Sequence, residues 1–427
     1  MVNRRKFIRN TLGASLGAPF ALSFYGCASP LYDRLDASTG LSLGCVVGEV
    51  TADGAMVWLR GVAGSQVRMQ HWKDKVTAGM VSSAPVGVKS ESDFTTVFTL
   101  RGLEPRTTYY YRALVEGKKP GPIGRFVTAP AAADPSRVSF CFSGDTRESY
   151  QPFTIMGAIE AQQPDFFLHL GDTVYADRGG RARHLAEFWQ KHRANRSDPF
   201  FQRLFAQTSV YAVWDDHEVE DNYLPDNPLA PIGEKAFLDY WPVRPIAHPR
   251  GGIQRSFRWG KSAELFILDT RRQRNIAKKT LLGKDQKEWL LNGLVSSDAL
   301  VRFIATSVPM YGGGRDRWDG FPKEREQLLS YIAEKRLPVV FLSADMHYAA
   351  VSQIPNGRGL KEITAGPLAA PMNVITNGTA SRFEFFSNAT FNFAKLTVDA
   401  KLHPSQVLVE FYDRDNRRFH QTMIDVA

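Results

Sequence analysis

Six apolar runs between residues 138 and 345 constrain this chain more than anything else in it. They read VSFCFSG, PDFFLHLGD, SVYAVW, AELFILDTR, VRFIATSVPM and LPVVFLSAD. Stretches of helical character fall between them, among them PFTIMGAIEAQ, HLAEFWQKHRANR, GKDQKEWLLNGLV and KEREQLLSYIAEK. A strand that is apolar on both faces must be covered on both. The alternation therefore predicts an α/β architecture, a buried sheet with helices packed on its faces. FNFAKLTVDA and QVLVEFYDRDN, near the end of the chain, alternate as strands that would finish or flank that sheet.

The carboxyl ends of the apolar runs carry the chemistry. In open α/β sheets ligands gather beyond those ends, and here the residues waiting there are acidic. The first run delivers Asp145, the second Asp172 and Tyr175, and the third Asp215, Asp216 and His217. A fourth delivers Asp269 and Arg271, and the last Asp345 and His347. One Asp after a strand is ordinarily a cap or a turn former. Five strand ends that all carry one, two of them with His alongside, ask for more, since capping has no use for His. The stretch YAVWDDHEVEDNY, Tyr211–Tyr223, sharpens the problem. Its carboxylates would repel one another in a dry place unless cations neutralise them or water solvates them. Carboxylates suit hard cations, and imidazole extends such a site to Fe, Zn or Mn. Two cations about 3.5–4 Å apart need a shared ligand, which a carboxylate can be.

The rest of the chain reads as appendages to this unit. From Leu41 to Pro130 about seven short strands with regular turn signals predict a small β-sandwich of fibronectin-like type. PAAADPS, residues 130–136, is the linker and the domain boundary, so the catalytic unit is expected over 137–427. Residues 28–40 read as a polar tether. Residues 1–27 read as an export leader: the RRKFI at Arg4–Ile8 resembles the core of a bacterial twin-arginine signal, followed by an apolar part too short for a membrane span. Gly26-Cys27 resembles a lipoprotein cleavage site, although Phe24 and Tyr25 depart from its usual pattern. The expected location is the periplasm or cell envelope of a bacterium, with a membrane tether if Cys27 is lipidated.

Lys and Arg exceed Asp and Glu by 53 − 44 = 9, and the leader holds four of those bases, which leaves +5. That balance favours anionic substrates slightly, and with no basic stripe interleaved with aromatics it does not argue for nucleic acid. Cys45 and Cys141 read as small apolar core residues, with a pairing between them left open. His169, within a buried strand, reads as a satisfied core histidine.

GDTVY at 171–175 resembles the GDxxY motif of metallophosphoesterases of the purple acid phosphatase type, and WDDHE, LDTRRQRN, DQKEWL and LSADMH together resemble the alkaline phosphatase D (PhoD) family. The opening SLGCVVGEVTADGAMVWLRG is similar to that family's N-terminal module, so the resemblance spans nearly the whole chain beyond the leader. It implies a calcineurin-like metallophosphoesterase sandwich and a dinuclear centre. On that centre Asp145, where many family members have Cys, Tyr175 and His347 would bind the first metal. Asp172 would bridge, and Asp216 and Asp345 would bind the second. It implies Fe³⁺ with Ca²⁺, or Zn²⁺ or Mn²⁺ in their place. His217 would contact phosphate or the leaving group, and Arg271 is a family hallmark expected at phosphate or beside the ligands. Arg147 either holds phosphate or pairs with Glu148, and Asn222 is a ligand or a turn residue. Asp215 is expected to orient His217, while Glu218, Glu220 and Asp221 point to solvent or brace the loop. MYGGGRDRWDGFP, residues 310–322, is either a mobile loop over the site or a plain surface loop.

The expected activity is hydrolysis of small phosphate mono- or diesters by a monomer. A metal-bound hydroxide would attack phosphorus in line, and His217 or a water would protonate the leaving alkoxide. Alternatives are a phospholipase D-type diesterase acting on lipid head groups and a non-enzymatic metal- or phosphate-binding envelope protein.

Overall fold

The apolar runs form the strands expected of them. Val138–Ser143, Phe166–Leu170, Ser209–Val213, Val301–Ala305 and Val339–Ser343 are buried at every residue. They divide between two sheets. The first three lie side by side and parallel in a nine-stranded sheet, and the last two, with Ala263–Ile267, lie parallel in a seven-stranded one. The computed structural model describes residues 37–73, 79–244, 252–312, 314–374, 381–401 and 406–426. The leader, Cys27 and most of the tether lie outside the described residues.

The two sheets face each other across one core. Phe140 of the first meets Phe303 of the second edge to face, with ring centroids 5.1 Å apart, and Phe166 meets Trp259 at 4.7 Å. Helices cover the outer faces. Thr154–Ala161, Pro199–Gln207 and Ala230–Tyr240 bury Ile155, Ile159, Phe201, Phe205 and Phe237 in the core shared with the nine-stranded sheet. Gly283–Ser296 and Pro322–Glu334 bury Leu290, Leu294, Leu328 and Ile332 against Phe266, Ile304 and Phe341 of the other sheet. The layers therefore run helix, sheet, sheet, helix, the metallophosphoesterase-type sandwich. Among the described residues no helix is long and apolar enough to cross a membrane.

The late strands fill gaps. Asn392–Val398 pairs antiparallel with Val138–Ser143, and Gln406–Asp413 and Arg418–Asp425 extend that edge. At the other edge the N-terminal strands Cys45–Gly48, Gly54–Arg60 and Thr95–Arg101 continue the same nine-stranded sheet. Gly48 runs parallel to Val210 so closely that a Cβ there would sit 2.5 Å from the Val210 carbonyl oxygen. The remaining N-terminal strands, Gln66–Lys73, Thr108–Val115 and Gly124–Val127 with two short pieces, make a separate five-stranded sheet. Within this region the Tyr109 hydroxyl accepts from the Glu104 amide at 2.9 Å, the tyrosine corner of fibronectin-like modules.

The seam between the two regions is polar and aromatic. Tyr211 Oη donates to the Val50 carbonyl at 2.5 Å, and Trp58 Nε1 donates to the Asp239 carbonyl at 2.7 Å. The buried Arg196 guanidinium lies 4.1 Å from the Trp58 ring centre and 4.7 Å from that of Trp241. Cys45 and Cys141 are unpaired and buried, as core residues.

Candidate metal centre

Parallel strands point their carboxyl ends one way, so the ends of both sheets meet on one side of the sandwich. There the chain makes abrupt turns, and the residues that turn are the predicted ligands. Asp145, Asp172, Asp345 and His347 all have left-handed backbones, with φ of 67°, 52°, 62° and 55°. Such φ values are sparsely used by residues other than Gly, although Asp and His tolerate them better than most. Two glycines leave room for these turns. At Gly171, φ +96°, a Cβ would meet the Asp215 Cβ at 2.6 Å; at Gly366, φ +153°, it would meet Asp145 Oδ2 at 2.5 Å.

The turns bring three groups of ligand atoms together. Asp145, Asp172 and His347 form one, Asp172, Asp216 and His217 a second, and Asp215, Asp216 and Asp345 a third; within each group one atom per residue lies within 4.8 Å of the others. Asp172 belongs to the first two and Asp216 to the last two. Tyr175 is buried beside them, its hydroxyl 3.2 Å from His347 Nε2 and its ring stacked on His217 at 4.2 Å. His347 is fixed from behind by the Pro371 carbonyl at Nδ1.

A metal pair fits this set on two grounds. Both oxygens of Asp145, Asp215 Oδ2 and Asp216 Oδ1 are buried with no hydrogen-bond partner, a costly arrangement for carboxylate oxygens. The charges also crowd one another. Burial, with the fields of Asp216, Asp215 and Asp145, pushes Asp172 well above the ordinary carboxylate range. Burial and the field of Asp172 push the Tyr175 phenol up in the same way. Cations would reverse both shifts, because an ion in a site is its largest local charge. The donors are carboxylates, imidazoles and a phenol, so the centre implies metal cofactors of the harder kind.

Several expectations are corrected here. Asp215 does not orient His217. Its Oδ1 takes the Arg271 Nε–H at 2.6 Å and the Ser307 hydroxyl at 2.8 Å. His217 is held instead by Asp177, whose Oδ1 lies 2.8 Å from Nδ1. Burial opposes charge on His217, but that hydrogen bond and the fields of Asp216, Asp177 and Asp221 outweigh it and raise its pKa to about 9. Sequence reasoning passed over Asp177, although the stretch GDTVYAD contains it; the available signal was that a functional His needs a carboxylate at its second nitrogen. Of the two alternatives for Glu218, solvent or bracing the loop, the structure shows the second. Glu218 is buried and takes the Thr173 amide and hydroxyl at 2.6 and 2.7 Å and the Asp215 amide at 2.8 Å, tying two strand-end loops together. Asp269, at the fourth strand end, is a turn former: it accepts from Trp214 Nε1 and the Arg271 and Arg272 amides and lies outside the three groups.

The remaining candidates fall around the centre. Arg271 is fully buried, with Nε on Asp215, Nη2 3.6 Å from Asp216 and Nη1 3.0 Å from Asp316. Burial disfavours the Asp216 carboxylate, yet Arg271 and His217 hold its pKa below the usual range. Arg147 lies two residues after Asp145 and its buried Nε has no partner; Glu148 pairs with Lys191 at 3.2 Å. Asn222 is a turn residue, φ 56°, whose amide braces Asp216 Oδ2 at 2.7 Å. His169 shares a hydrogen bond with Thr146 Oγ1 at 3.0 Å, and burial lowers it to about 3, so it stays neutral. The segment after Val301–Ala305 reaches the site: Trp318 is buried and Arg317 pairs with Asp345.

Comparisons with known proteins point the same way. The family model of PhoD-like phosphatases matches residues 140–403, and that of their N-terminal domain matches residues 26–130. Alkaline phosphatase D of Bacillus subtilis (strain 168) is 27% identical over 438 aligned positions, covering 82% of this chain and 72% of that protein. A solved structure of PhoD superposes with a TM-score of 0.79 at 22% identity, over 91% of this chain and 94% of that one. The purple acid phosphatase PPD1 from yellow lupin seeds superposes with a TM-score of 0.68 at 13% identity, over 89% of this chain and 74% of that one. At such identities the two structures speak for the fold alone.

Proposed function

Because the chain belongs to the PhoD-like phosphatase family, whose model spans residues 140–403, we propose that it is an exported hydrolase of small phosphoric mono- and diesters working on two cations. The coarse activity, phosphoester hydrolysis, is that of the family. One observation carries the finer reading: Asp172 lies in one ligand group with Asp145 and His347 and in another with Asp216, so its carboxylate can be shared, as a bridged pair of ions requires.

Asp145, Tyr175 and His347 would hold the first cation, Asp216 and Asp345 the second, and Asp172 both. When bound, the pair would neutralise charge on the phosphoryl oxygens and make a water acidic near neutral pH. A phenol with carboxylates suits Fe³⁺ on the first side. The oxygen-only donors Asp216 and Asp345 suit Ca²⁺ on the second, with Zn²⁺ or Mn²⁺ as the other candidates.

The chain's own groups supply the rest. Asp177 holds His217 at Nδ1, so Nε2 is left to meet the ester and to pass a proton to a leaving alkoxide. Arg147 has an unpartnered Nε to offer a phosphoryl oxygen. Arg271, enclosed by Asp215, Asp216 and Asp316, positions the second-cation ligands. The twin-arginine leader supports export to the periplasm or envelope, with Cys27 as a lipid attachment point.

Metal-loaded protein assayed on chromogenic phosphate mono- and diesters tests the reading. Turnover of at least one is expected, with a loss of at least about a thousandfold in Asp172→Asn. No turnover of either ester would leave the chain as a binding protein and overturn the proposal.

A further inference from the structure

The four carboxylates proposed as cation ligands are not equally ready for a cation. Asp145 has both oxygens buried without a hydrogen bond, Oδ1 lying 3.4 Å from His347 Nε2. Asp172 Oδ1 accepts from the His217 amide at 3.2 Å, and Asp216 Oδ2 accepts from the Asn222 amide at 2.7 Å. Asp345 alone among them is gripped at both oxygens by one guanidinium: Arg317 Nε bonds Oδ2, and Nη2 bonds Oδ1 at 3.0 Å. A fork on a carboxylate is the strongest neutral assembly these groups can make.

The placement of Arg317 is built by its neighbours in sequence. Trp318 is buried, with its indole N–H on Thr306 Oγ1 at 3.0 Å. Asp316, on the other side, is tied to Arg271 at 3.0 Å and to Arg274. Between two anchored residues the Arg317 backbone is fixed, while its side chain keeps 22% exposure and so a route to solvent. Asp345 also lies in the group with Asp215 and Asp216. A divalent ion bound there and a guanidinium on the same carboxylate would be like charges within about 4–6 Å, which oppose each other strongly in so dry a place.

We infer that Arg317 is a built-in counter-ion that exchanges with the cation on the Asp216/Asp345 side. Until that cation arrives it neutralises Asp345, and it then gives the carboxylate up. The centre therefore has a tight half around Asp145, where no guanidinium must leave, and a weaker half around Asp345, filled only when divalent ion is plentiful. The inference rests on the two-cation reading above.

Calorimetric titration of the whole protein with calcium and, separately, manganese tests it, after elemental analysis has established the metal already held. Wild type, Arg317→Gln, Arg317→Lys and Asp345→Asn are compared. The Gln variant is expected to bind the added ion roughly tenfold tighter or more than wild type, the Lys variant within about threefold of it, and the Asn variant not at all. Equal or weaker binding by the Gln variant would overturn the inference and make Arg317 a residue that aims Asp345 at its ion. If wild type takes up neither ion beyond the metal it already holds, the two-cation reading falls and the inference with it.

Discussion

Replacing Arg271 by Met removes one charge from the middle of the acidic web and keeps most of the side-chain volume. Asp316 retains Arg274, and Asp215 retains the Ser307 hydroxyl. Burial already pushes Asp215 up to about 8, against the pull of Arg271, so it can carry a proton at neutral pH. Asp216 is the group left exposed to the loss, because Arg271 is the foremost charge holding it ionised against its burial. Without the guanidinium, Asp216 escapes by taking a proton. From the ordinary value of 3.8 that costs at most about 1.36 × (7 − 3.8), or ~4 kcal/mol at pH 7, and about 1.6 kcal/mol at pH 5. The direction follows from linkage. In the variant the folded pKa of Asp216 lies above its unfolded value, so the native state binds the extra proton. Stability is then lost as pH rises from about 3.8 toward the raised value. For a chain of this size about 1 kcal/mol corresponds to about 1 °C. Scanning calorimetry in chelator, so that no ion replaces the guanidinium, should show melting about 4–5 °C lower at pH 7 and about 2 °C lower at pH 5. An equal depression at both pH values would mean that lost packing, not charge, is responsible. No depression at either would refute the claim that Asp216 depends on Arg271.

Other outcomes can be checked independently. If iron occupies the Asp145 side, the protein should be coloured, and Tyr175→Phe should lose the visible band while keeping its iron; a colourless wild type with full iron would contradict the phenolate assignment. Asp177→Asn should lower kcat about 10- to 100-fold with little change in KM, because His217 loses the partner at Nδ1 and not its place; an unchanged kcat would remove Asp177 from the mechanism. Glu362, which burial raises to about 7 and which accepts from the Met310 amide at 2.8 Å, makes native stability fall as pH rises from about 4.5 through 7. Glu362→Gln should abolish that fall and gain roughly 1.36 × (7 − 4.5), about 3 kcal/mol, above neutral pH; equal stability of the two proteins at pH 8 would show that Glu362 is not held neutral.

The sequence by itself determined the strands and the ends they would present. A run such as VSFCFSG leaves no polar face, so burial on both sides was settled before any contact was known. Asp145, Asp172, Asp216, Asp345 and His347 were legible because they fall at the carboxyl ends of such runs, and the structure gathers them. What the sequence could not show is which side chain faces which. Asp177 lies 40 positions from His217 and Arg317 lies 28 from Asp345, and nothing local marks either pair. Solvent and the loop are both open to Glu218 from its acidic neighbours alone, and burial decides for the loop, where the Thr173 and Asp215 amides satisfy it. The parallel docking of Gly48 on Val210, which joins the N-terminal strands to the central sheet, was equally silent. Periodicity and burial are properties of a segment, and a sequence carries them along its length. Pairing between distant charges depends on where two segments end up in space, and only the packing of both sheets against each other decides that.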